Sequence, residues 1–270
     1  MSHGRSAAAR LRPASRGRFM PESYRALCAD YYVNHKLGVK LDLPRERQTV
    51  LDMFDRVRRR YPDMDQFRRY KDELALETTP EAAEQKWLAI RGTNVRSGAV
   101  NPDTLDDAYR LHREVLELSP YFLSISPLDV EYIELLFGFD LAASGNHDEI
   151  VFEALIAGSP LAKLMDMPGT VPIDCQPIFG IALKDRVDIE AHFEVKTRAS
   201  ERKGRPFSEI DRASEPISIY LTLRKYGPVS DIKELPRVFE RLCDRGEELL
   251  EARVVPNLVN PIREAIGFGS

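Results

Sequence analysis

Two stretches of this chain alternate apolar and polar residues almost without interruption. From Val187 to Thr197, Val187, Ile189, Ala191, Phe193 and Val195 take one phase, and Asp188, Glu190, His192, Glu194 and Lys196 the other. From Ile217 to Tyr226, Ile217, Ile219, Leu221 and Leu223 alternate with Ser218, Tyr220, Thr222 and Arg224. Successive side chains on a strand point to opposite faces, so each run predicts a strand with one apolar and one wet face. Such a pair belongs to an antiparallel sheet covered on one side.

Upstream, the period changes repeatedly between two and 3.6. Tyr31 to Leu43 reads as a strand, with Val33, His35, Leu37, Val39 and Leu41 in one phase. Pro44 suits the start of a helix carrying Val50, Leu51, Phe54, Val57 and Tyr61 at helical spacing, closed by Pro62. Tyr70 to Thr78 predicts a second strand. Lys86 to Arg96 predicts a third, followed by a helix from Pro102 that Pro120 stops and a strand from Leu128 to Leu141. Asn146 caps a short helix with Glu149 three residues on. After Ile178 to Leu183 and the two alternating runs, a C-terminal helical stripe (Val238, Phe239, Leu242, Cys243, Leu249, Leu250) is cut by Pro256 and Pro261.

The expected fold is α+β: an antiparallel or mixed sheet built from two β-α-β units plus a later hairpin, with helices packed on one face. A ferredoxin-like or duplicated ferredoxin-like arrangement has this element order. The chain divides into a disordered basic arm (1–20), the tandem β-α-β region (21–143) and a helix, hairpin and C-terminal helical region (144–270). The last two can form a single domain. The arm carries Arg5, Arg10, Arg12, Arg16 and Arg18 among Ser, Ala and Gly, with no acid before Glu22, and such composition builds no core. An Arg- and Ser-rich transit peptide and translated upstream sequence are its other readings.

Composition narrows the function classes. The 270 residues are 43% hydrophobic and 30% charged, with a formal net charge of −4, which suits a globular protein better than a wholesale polyanion binder. Cys28, Cys175 and Cys243 are odd in number and far apart, so neither a disulfide framework nor a structural zinc site is expected, and a reducing cytoplasm fits. No apolar run approaches a membrane span.

Candidate chemistry is sparse. Gly145-Asn146-His147-Asp148 is similar to the GNH[DE] block of the calcineurin-like metallophosphoesterases, where Asn and His help hold two metals. The resemblance covers four residues, and that family's other metal-binding blocks do not occur here. Glu190, His192 and Glu194 lie at i, i+2 and i+4 on one strand face, where two carboxylates around an imidazole suit a divalent ion or acid–base work. A solvated sheet face is the favoured reading, since Lys196 on the same face neutralises part of the charge. Arg58, Arg59, Arg60, Arg68 and Arg69 form a basic cluster, a candidate patch for nucleic acid together with Tyr32, Lys36 and Lys40. No nucleophile elbow, phosphate loop or zinc motif occurs. His35 and His112 fall on apolar phases and read as packed residues.

The expectation drawn from this is a non-enzymatic cytoplasmic interaction or scaffold protein that self-associates or binds a protein partner, without cofactor, metal or membrane. A hydrolytic or metal-binding domain at Glu190, His192 and Glu194 is the first alternative, and nucleic-acid binding through the basic patch the second.

Overall fold

The computed structural model describes residues 24–183, 189–197 and 215–268. The basic arm at 1–20, the start of the first alternating run and most of the polar connection 199–215 lie outside them. Nine strands form one sheet: β1 (Asp30–Val39), β2 (Gln66–Arg69), β3 (Glu73–Glu77), β4 (Gln85–Arg91), β5 (Asn94–Val100), β6 (Val130–Leu141), β7 (Ile178–Leu183), β8 (Ile189–Lys196) and β9 (Ile217–Tyr226). Their order is β2-β3-β4-β5-β1-β6-β9-β8-β7. Every neighbouring pair is antiparallel.

The α+β class and the antiparallel sheet stand. The ferredoxin-like arrangement does not, because nine strands exceed it and no adjacent pair is parallel. The reason is local. The run expected as one strand from Lys86 to Arg96 turns back at Gly92, whose φ of +36° permits the reversal, and becomes the hairpin β4–β5. That hairpin lies against β1, where a parallel partner would otherwise have sat. Pairing of β6 with β9 joins the two halves of the chain in the same sheet.

The sheet is accompanied by α1 (Arg47–Arg58), α2 (Leu105–Phe122), α3 (His147–Leu155), α4 (Leu235–Leu249) and α5 (Asn260–Phe268). Thr104 starts α2 by accepting from the Asp107 N–H, and Asp106 and Asp107 complement the positive end of the helix. Pro120 sits inside the last turn rather than before it. Pro256 likewise does not cut the C-terminal helix but lies in a π-helical stretch, Leu250–Val259, that leads directly into α5.

Helices α2 and α4 pack on the odd-numbered residues of β1 and β6 and on β5 and β9. Val33, Leu37, Leu135, Phe137, Phe139, Leu221 and Leu223 are all fully buried there, each worth about 1.5–3 kcal/mol of transfer free energy. The approach is close at Gly246, where a Cβ would collide with the Phe137 ring. Two histidines are enclosed in this layer: His35 and His112 lie with ring centroids 5.8 Å apart against Phe239. Ser97 Oγ is 2.8 Å from His112 Nδ1.

Candidate functional site

The face of the sheet opposite α2 and α4 displays the polar phase of the central strands, and on β7 the same face carries Ile178, Gly180 and Ala182. Along its centre, large rings lie across glycines on the neighbouring strand: Tyr132 opposite Gly38, Trp87 opposite Gly98 and Tyr32 opposite Gly138. A Cβ at any of these glycines would run into the ring, so the aromatics cover backbone that would otherwise face water. His192 lies over Gly180 in the same manner, its Nδ1 3.0 Å from where a Cβ would be.

Cations sit beside these rings: Lys36 Nζ is 5.1 Å from the Tyr132 centroid, and Arg224 is 5.0 Å from the same ring. Carboxylates answer most of the charge. Arg96 pairs with Glu73, Arg224 with Glu134, Arg68 with Glu77 and Lys196 with Glu194. The face is consequently a balanced polar surface, without the surplus positive charge that a phosphate backbone needs.

Glu190, His192 and Glu194 do share this face. Glu190 Oε2 is 3.5 Å from His192 Nε2, but Glu194 is engaged by Lys196 at 3.3 Å, so the two carboxylates do not converge on the imidazole. Among the described residues, no group of three or more His, Cys, Asp and Glu is placed to hold a metal ion. The thiols are equally unsuited to nucleophilic work: burial pushes Cys28 up to about 12 and Cys175 up to about 11.

The GNHD block has a structural use. Asn146 Oδ1 accepts from the Asp148 N–H at 3.2 Å and so caps α3, while its Nδ2 donates to the Pro172 carbonyl at 2.9 Å. Buried Asp148 accepts from the Cys175 N–H at 3.0 Å and from Thr197 Oγ1 at 2.5 Å. The block therefore ties α3 to the segment before β7 and to the end of β8.

Three of the five arginines of the basic cluster are held by carboxylates. Arg58 pairs with Asp55, Arg60 with Glu114 and Arg68 with Glu77. Arg59 projects from the end of α1, and Arg69 lies exposed on β2, at the rim of a cleft beneath α1.

A feature that the alternation did not mark is the edge strand β7. Ile178 and Phe179 are each 66% exposed, and the segment leading to them exposes Leu161, Leu164, Met167, Val171 and Ile173. Seven of the thirteen exposed large apolar residues among those described thus fall between Leu161 and Phe179. One side of β7 pairs with β8; the other is the edge of the sheet among the described residues. The signal available in the sequence was the uncharged run Ile178-Phe179-Gly180-Ile181-Ala182-Leu183, which reads equally as a buried strand.

No known family matches the chain, and no curated protein matches it. Among solved structures, the crystal structure of the di-domain ARO/CYC StfQ from the steffimycin biosynthetic pathway is similar at 9% identity, covering 87% of this chain and 97% of that one, with a TM-score of 0.23. A likeness so slight carries no argument. The geometry has to speak for itself.

Proposed function

We propose that this protein is a non-enzymatic interaction protein that associates with a second copy of itself through the β7 edge. The observation that carries the reading is a six-residue edge strand without charge or proline, exposed at Ile178 and Phe179. Edge strands with unpaired N–H and C=O groups ordinarily carry lysine, proline or a bulge that discourages pairing. This one carries none of these. A second β7 is the fitting occupant because the strand offers no charge for a charged partner to complement. Antiparallel pairing about a two-fold axis satisfies both backbones and buries the same apolar residues twice. Burying each Ile or Phe contributes about 1.5–3 kcal/mol before the cost of association.

Free thiols at Cys28, Cys175 and Cys243 support a cytoplasmic location as part of this proposal. Among the described residues, no helix is long and apolar enough to cross a membrane. The test is sedimentation velocity or light scattering over a concentration series. The mass should rise from the 30.8 kDa of the chain towards twice that value, and a chain that stays monomeric throughout overturns the reading.

A further inference from the structure

At the opposite end of the sheet, the start of α1 and the strands β2, β3 and β4 enclose a cleft of about 310 Å³. That volume falls at the lower end of the range for small-molecule sites. Its floor is apolar, built from Val50, Leu51, Leu74 and Ile90, and Phe67 and Tyr70 form part of its wall. Four cations stand around it: Arg45, Arg47, Arg69 and Lys71. All four are exposed, and none makes an ion pair with another described residue. That sets them apart from Arg58, Arg60 and Arg68 nearby, each held by a carboxylate. Two acids also line the cleft, Asp72 and Glu73, and Glu73 is already taken by Arg96.

We infer that this cleft binds a nucleotide-sized organic phosphate. The charge selects the class, since three guanidinium groups and an ammonium exceed what a single carboxylate can answer, while a di- or triphosphate matches them with bidentate contacts. The floor requires the ligand to have a body as well as a charge: a flat or apolar group covers Leu51 and Leu74 beside Phe67. A nucleic-acid strand is the weaker match, because Arg58, Arg60 and Arg68 next to the cleft are each held by a carboxylate and interrupt a basic track.

Calorimetric titration of the full chain tests this, with adenosine diphosphate as the probe, inorganic phosphate as the charge-only control and a decathymidylate as the polymer control. Adenosine diphosphate should bind saturably at one site per chain, at least about tenfold tighter than inorganic phosphate. Arg45→Ala and Arg69→Ala should each weaken it by about tenfold, whereas Arg59→Ala, outside the cleft, should leave it unchanged. All three residues are exposed, so these variants keep the fold. Equal affinity for adenosine diphosphate and phosphate overturns the inference, as does an equal loss in Arg59→Ala. Absence of saturable binding, or tighter binding of the decathymidylate, also overturns it.

Discussion

The two edges of the nine-stranded sheet are built on opposite principles. At one end β2 is four residues long, and two of them, Arg68 and Arg69, are charged and exposed. Its single large apolar residue, Phe67, leans on Phe54 with ring centroids 5.8 Å apart. At the other end β7 has six residues and no charge, and its exposed Ile178 and Phe179 have few neighbours to cover them. A short charged edge resists a second strand, since pairing would desolvate its arginines; a longer apolar edge gains from one. On the proposed reading β2 resists strand addition through its short length and its charge, and β7 accepts it through its greater length and apolar side chains.

Both edges depend on a centre that acid should break, and this is the largest effect expected. Burial holds His112 down at about 3 and His35 well below its ordinary value near 6.5. The unfolded chain therefore binds protons that the folded chain refuses. Stability is complete above about pH 6.5 and falls as pH drops from there towards 3, by up to about 1.4 kcal/mol per pH unit for each histidine. Urea unfolding should show a loss of roughly 2–4 kcal/mol between pH 6.5 and 5. An unchanged midpoint over that range would contradict the buried, neutral state of both rings.

Next in size is the β7 edge itself. Replacing Ile178 and Phe179 together by Lys places two like charges on each copy where the strands would meet. Self-association should weaken by at least about a hundredfold, since the burial of two large side chains is lost and repulsion is added. The monomer's unfolding free energy should change by only about 0.5 kcal/mol, as befits exposed positions. The reading fails if the double variant sediments like the parent chain.

Much of this architecture was legible because burial on one face imposes a period of two. β1, β6, β8 and β9 announce themselves through Val33, Leu37, Phe137, Phe139, Ala191 and Leu221, all of which are buried as that period requires. The order of the strands was not legible. Nothing in Lys86 to Arg96 says that Gly92 reverses the chain, and that one turn converts an expected crossover into a meander. The edges escaped for a related reason. Ile178 to Leu183 and a central strand share the same composition, and only their place in the sheet determines whether the side chains meet a core or water. Cation pairing is equally positional: Arg60 and Arg69 look alike in sequence, yet Glu114 on α2 reaches the first while the second is left at the cleft.

The smallest effect concerns the guard on β2. Arg68 is partly exposed and pairs with Glu77 at 3.2 Å, so the pair itself stabilises the fold by no more than about 0.2–1 kcal/mol. Its larger role here is to keep a charge on the outermost strand. Arg68→Val should leave the unfolding free energy within about 1 kcal/mol of the parent, while making a second edge more receptive to pairing. Under the proposed pairing, association through β7 should stop at two copies, because a two-fold contact uses up the receptive edge that each copy shows among the described residues. Opening β2 would let the chain extend beyond the pair, so the variant should show species heavier than a dimer at high concentration. Combined with the two lysines at Ile178 and Phe179, the same variant should return towards small species, because one weakly receptive edge replaces a strong one. If Arg68→Val stays at the parent's mass, the charge on β2 is not what closes that edge, and its short length, four residues, must be enough by itself.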